Sequence, residues 1–116
     1  MADRQTLLAW AASTRQAKQV SGFTFNGMRI ETDPESRGVL TGAYVLAKDN
    51  PSFSIPNWKV DDGHYVTLNR ETILAVGDAV TAFVQACFDK NREVDDRIAS
   101  GEITTREQII AAFEEI

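Results

Sequence analysis

Apolar side chains recur along this chain with two different periods, and the switches between them mark out six elements. Over residues 3–20, Leu7, Trp10, Ala11, Ala17 and Val20 return at three- and four-residue intervals among strong helix formers, which predicts a helix stopped by Ser21-Gly22. Its apolar face is thin, and Arg4, Arg15, Gln16, Lys18 and Gln19 share the remainder. Such a helix gains little by packing on its own domain and is suited to project or to pair with a partner. Residues 23–32 alternate instead: Phe23, Phe25, Met28 and Ile30 fall on the core side of a hairpin whose parity switches across the turn. The helical period returns over 34–48, with Val39, Leu40, Ala43, Tyr44 and Ala47 as the buried side and Asn50-Pro51 as the end. Residues 50–57 read as an irregular loop held down by Phe53 and Ile55, and 58–68 as a second hairpin. The strongest signal follows: Ile73, Val76, Val80, Val84, Cys87, Asn91, Val94 and Ile98, spaced by threes and fours, predict a helix over 70–100 that Gly101 stops. Ile109, Ile110, Phe113 and Ile116 predict a last helix over 105–115, opened by Thr104 and Glu107 as a capping box.

Two of the junctions are written in nearly the same words, 36 positions apart: Asn26-Gly27 through Asp33 and Ser36, then Asp62-Gly63 through Asn69 and Thr72. Each reads as a hairpin turn, an outgoing strand and a helix start. Asn-Gly and Asp-Gly suit the positive φ angles of a type I′ turn, Asp33 and Asn69 suit helix caps, and Pro34 fits a first helical position. Either an old ββα duplication or the shared grammar of any hairpin followed by a capped helix accounts for the likeness. The expected fold is therefore α+β in the order helix, hairpin, helix, hairpin, long helix, short helix. Its two hairpins are expected to join in one four-stranded antiparallel sheet packed on the helices, within a single domain over 1–116.

Composition narrows the surroundings more than the activity. A chain of 116 residues that is 43% apolar and 25% charged is long enough for one core without disulfide or metal. The lone Cys87 lies in an apolar run and reads as a buried thiol, which favours a reducing compartment. No uninterrupted run approaches the roughly 20 apolar residues of a membrane span, and residues 1–5 lack a signal-peptide pattern, so a soluble chain without a membrane partner is expected. With a net charge of −5 and no cluster of Lys and Arg, nucleic acid is not an expected partner. Residues 1–20 hold three basic and one acidic side chain and residues 89–116 four basic and eight acidic, an asymmetry that a solvated surface explains and that would also favour docking of the two ends.

Candidate chemistry is sparse. His64, beside Asp61 and Asp62 at a hairpin tip, could join an acid-base or metal cluster, but turn chemistry explains the aspartates and exposure the histidine. Cys87 and His64 would make a nucleophile and base only if buried side by side. There is no H-x-x-x-H, no paired cysteines and no spaced calcium loop, and Glu93, Asp95 and Asp96 read as a solvated face with Arg92 and Arg97. No catalytic residue, metal site or cofactor site is expected, and no cofactor. Trp58 opens a strand and reads as core; Trp10, on a thin helical face, is the better partner contact.

The run from Gly22 to Ser36, then Trp58-Lys59-Val60-Asp61-Asp62-Gly63 through Leu68, resembles a domain family of unknown function found in bacteriophage and prophage proteins. The likeness extends over roughly residues 4–100, including Ala79-Val80 and Val84 to Phe88 on the long helix. Members of that family often occur in or beside tail-fibre and tail-assembly proteins, and many carry histidine where this chain has Phe83, a departure that argues against shared histidine-dependent chemistry. No enzymatic activity attaches to the family, so the resemblance implies context: the host cytoplasm or the virion tail, with phage tail proteins as partners. The expectation is a non-enzymatic protein-protein interaction module, a virion component or assembly factor. Leu7, Trp10, Ile110 and Phe113 would form its contact surface for a protein partner or a second copy of the chain. The alternative is a small-ligand or carbohydrate-binding module of a tail-fibre protein, using Trp58, Tyr65 and the loop between Pro51 and Pro56.

Overall fold

A computed structural model describes residues 2–116, the side chain of Asp61 apart. Its elements run α1 (Arg4–Gln19), β1 (Phe23–Phe25), β2 (Met28–Ile30), α2 (Pro34–Asp49), β3 (Ile55–Asp61), β4 (His64–Leu68), α3 (Arg70–Ala99) and α4 (Arg106–Phe113). The α+β class and the element order are those expected from the periodicities. The four strands, however, form two separate two-stranded antiparallel sheets, β1 with β2 and β3 with β4, rather than one sheet. β2 approaches β3 without joining it. A three-residue strand offers few outward amides to a neighbour, and the β3–β4 pairing is itself broken by register shifts between Ile55 and Trp58 and between Lys59 and Asp61.

The first of those shifts explains why β3 begins three residues earlier than its alternation predicts. Pro56 has no amide to give a ladder, and a bulge is where a strand tolerates it. Its carbonyl is taken instead by the Thr67 hydroxyl at 3.2 Å. The two similar phrases also part here. Asn26 and Gly27 both take positive φ, 49° and 79°, as a type I′ turn demands, whereas at Asp62-Gly63 only the glycine does, at 81°.

The helix ends follow local chemistry. Asp33 accepts from the Ser36 amide at 3.2 Å and from its hydroxyl at 2.6 Å, which holds the Asp33 carboxyl below its ordinary pKa, and Asn69 accepts from the Thr72 amide at 2.9 Å. Asp3 does the same for α1 through the Thr6 amide at 2.7 Å. At the end of α3, Gly101 adopts φ 83°, its amide bonds the Ile98 carbonyl and the Glu102 amide bonds that of Arg97, the paired bonds of a Schellman motif. The capping box of α4 is displaced by one residue from the expected pair: Thr105 and Gln108 form it, not Thr104 and Glu107. Oε1 of Gln108 gathers the amides of both Thr104 and Thr105 at 2.8 and 3.0 Å.

Contacts group the chain into two compact units, Met1–Gln19 with Phe83–Ile116, and Val20–Ala82. In the first, Leu7 and Ala11 of α1 meet Val94 and Ile98 of α3, Ile103, and Ile109, Ala112 and Phe113 of α4. In the second, Ala43 and Ala47 of α2 meet Leu68 and Ile73, with Met28, Phe53, Ile55, Trp58 and Leu74 packed around them. The three-four stripe of α3 is buried as expected at Ile73, Val76, Val80, Cys87, Val94 and Ile98. Thr32, fully buried, accepts the Gly22 amide at 2.9 Å and so ties the two ends of the first hairpin together. Gly22 itself is obligatory, because a Cβ there would lie 2.6 Å from the Ile30 carbonyl oxygen.

Candidate functional site

The four residues expected to meet a partner do not share one surface. Leu7 and Phe113 retain only 5% and 2% exposure inside the first unit's core, so they are corrected from contact residues to interior ones. The face of α1 is thin, but it suffices to cover α4, and the two helices pack together through apolar side chains. Trp10 stays half-buried with the Arg106 guanidinium 5.3 Å from its ring centroid, and Ile110 remains on the surface. Ala17 and Val20, expected on the buried side of α1, are exposed as well.

The titratable candidates fall in different units. His64 is exposed on β4 in the second unit, and the Asp61 side chain beside it lies outside the described residues. Cys87 belongs to the first unit and is fully buried; burial pushes its thiol pKa up, with Arg15 and Lys18 opposing in part. A buried thiol above its ordinary pKa is a poor nucleophile. Among the described residues no group of three His, Cys, Asp or Glu side chains could hold a metal ion. Glu93 pairs with Lys90 at 2.9 Å and Arg97 at 3.8 Å, and Asp96 with Arg92 at 3.5 Å. These are the surface pairs of an ordinary charged helix face.

A different feature stands out on α2. Leu40, Ala43 and Ala47 form its buried side; at 100° per residue Gly38, Gly42 and Val45 lie opposite them, with Leu46 and Val39 on one flank. Val39, Val45 and Leu46 are 55%, 55% and 54% exposed. The burial expected for Val39 is therefore wrong, because it lies outside the arc centred on Leu40, Ala43 and Ala47. Nothing lies within 4 Å of where a Cβ would stand on Gly38 or Gly42, so no packing inside the chain requires either glycine. Each nevertheless costs about 0.5–1 kcal/mol relative to alanine in a helix. The spacing Gly38-x-x-x-Gly42 beside three large aliphatics was the available sign of this face, hidden because apolar residues on a helix are read first as interior.

On the flank of α2, the ring of Tyr44 lies directly against the backbone of α3 at Gly77, where a Cβ would fall 2.3 Å from Cδ2. The Tyr44 hydroxyl donates to Oδ1 of Asp78 at 2.8 Å, and that bond raises the tyrosine pKa. Trp58 is half-buried, neither wholly core nor free. It packs on the second unit's cluster and also lines a shallow cleft of about 250 Å³ with Arg29, Glu35 and Lys59.

By length and composition alone, α3 is long and apolar enough to cross a membrane, with mean hydropathy 1.3 over an 18-residue window. Only 22% of that window is buried in the fold, and the buried side of the helix carries Ile73, Val76, Val80 and Cys87. A family model described as a domain of unknown function, DUF4376, matches residues 2–115. No curated protein and no solved structure matches the chain.

Proposed function

The chain belongs to the DUF4376 family of domains of unknown function, and from that membership together with the bare apolar face of α2 we propose that it is a non-enzymatic protein-protein interaction module of a phage or prophage tail, as a virion component or an assembly factor. The phage context rests on the resemblance carried by Gly22 to Ser36 and Trp58 to Leu68. The observation that carries the interaction role is the run of Val39, Val45 and Leu46 on α2, each more than half exposed beside two glycines that would let another helix approach closely. Hydrophobic surface of this kind gains free energy only when something covers it. The host cytoplasm and the assembled tail are the corresponding locations.

Capture by purified tail-fibre and tail-assembly proteins tests the reading. Val39→Asp with Leu46→Asp should lower capture at least about tenfold, the effect of losing about 1.4 kcal/mol, while helical circular dichroism stays unchanged. Equal capture of the variant and the parent would remove the α2 face from the proposal. Light scattering at high concentration separates the homo-oligomeric version, which requires a parent mass above that of one chain and a fall in mass on substitution.

A second reading, a small-ligand or carbohydrate-binding module, is favoured by one observation: Trp58 leaves part of its ring at a cleft that also holds charges of both signs, from Arg29, Glu35 and Lys59. It would use the amphipathic ring as sugar-binding sites use aromatic side chains.

A further inference from the structure

We propose that the cleft between α2 and α3 in the second unit binds a small monocarboxylate, its anionic head held by Arg37 and its apolar body against Leu40, Val45 and Val80. The cleft measures about 400 Å³, within the span of small-molecule sites, and its walls combine those aliphatic side chains with the ring of Tyr44. Its polar groups are satisfied with one exception. Thr41 donates to the Arg37 carbonyl at 2.8 Å, Thr81 donates to the Gly77 carbonyl at 3.1 Å, and Tyr44 donates to Asp78. The exception is Nε of Arg37, which is buried and has no hydrogen-bond partner.

Arg37 as a whole is only partly buried and is the one cation lining the cleft, and the acceptor that best matches a guanidinium fork is a carboxylate with its two oxygens. Asp78 at the same cleft sets the charge of the ligand. A second anion repels phosphate and other multiply charged species more than a monocarboxylate, while its carboxylate can accept from a hydroxyl or ammonium group on the bound molecule. Gly77 contributes by omission: because it has no side chain, Tyr44 can lie on α3 and close one side of the cleft. This site shares Val45 with the α2 face used for partner contact, but Val39 and Leu46 do not line it.

Titration of the whole chain with hexanoate, followed by amide chemical shifts, tests the proposal. Saturable shifts at Thr41, Tyr44, Gly77 and Asp78 are expected with a dissociation constant on the order of 1 mM, and binding of hexanol or inorganic phosphate at least about tenfold weaker. Arg37→Gln should weaken hexanoate at least about tenfold, and Arg37→Lys should recover part of the loss because the charge remains. Thr81→Phe, which fills the cleft from an exposed position and leaves Arg37 intact, should also abolish the shifts. Absence of saturable shifts in the parent chain would overturn the proposal, as would equal binding of hexanol, or hexanoate binding that survives Arg37→Gln in a variant with a native amide spectrum. The Val39→Asp with Leu46→Asp chain should bind hexanoate as the parent does, so failure of the partner surface and failure of the cleft are read separately.

Discussion

A methyl group at Gly77 would stand 2.3 Å from the Tyr44 ring, whereas one at Gly38 or Gly42 would meet nothing. Three glycines in helices, alike in sequence, are thereby unlike in consequence. Gly77→Ala should lower stability by about 1–3 kcal/mol as Tyr44 is forced off α3; Gly38→Ala should raise it by about 0.5–1 kcal/mol. Urea denaturation of the two variants checks both signs. A residue's type could not separate these cases, because the difference lies in what another helix presses against it. Asn91 makes a similar point from the polar side: it occupies a stripe position of α3, accepts from Arg15 at 2.8 Å and donates to Asp95 at 3.1 Å. The period placed it facing inward, and only the fold supplied its partners.

At the scale of elements, periodicity located all four helices and both hairpins, with most ends within one or two residues. The misses have local causes. β3 gained Ile55 to Asn57 because a bulge accommodates Pro56, and the cap of α4 moved from Thr104 to Thr105 because both threonines precede an acceptor three residues on, at Glu107 and Gln108. Two overlapping capping patterns cannot be separated by spacing alone. Thr105→Ala should therefore cost about 1 kcal/mol and Thr104→Ala close to nothing, measured by thermal unfolding of the two single variants. The end of α3 was plainer, since Gly101 at φ 83° is the residue a Schellman stop favours.

Over the whole molecule, the assignment of apolar residues to interior or surface is what the fold decided. Leu7 and Leu46 look interchangeable as helical leucines, yet one is 5% exposed in a core and the other 54% exposed on α2. Leu7→Asp should cost more than about 4 kcal/mol and abolish the native helical signal. Leu46→Asp should change stability by no more than about 0.5 kcal/mol; circular dichroism with chemical denaturation distinguishes them. The same fact relocates the proposed partner surface from Leu7 and Phe113 to α2, and it leaves the half-buried Trp10 and the exposed Ile110 as the remnants of the first expectation.

By itself the sequence determined the α+β class, the order of elements, the turn at Asn26-Gly27, the caps at Asp33 and Asn69, the buried stripe of α3 and the burial of Cys87. Each of these depends on interactions within a few residues or on a period that one element imposes on its own face. Tertiary structure decided that the hairpins stay separate, that Leu7 and Phe113 are interior, that the outer side of α2 is uncovered, and that Arg37 faces a cleft with a donor left over. Those outcomes turn on which face meets which neighbour, a matter of distances between residues far apart in the chain that no local pattern encodes.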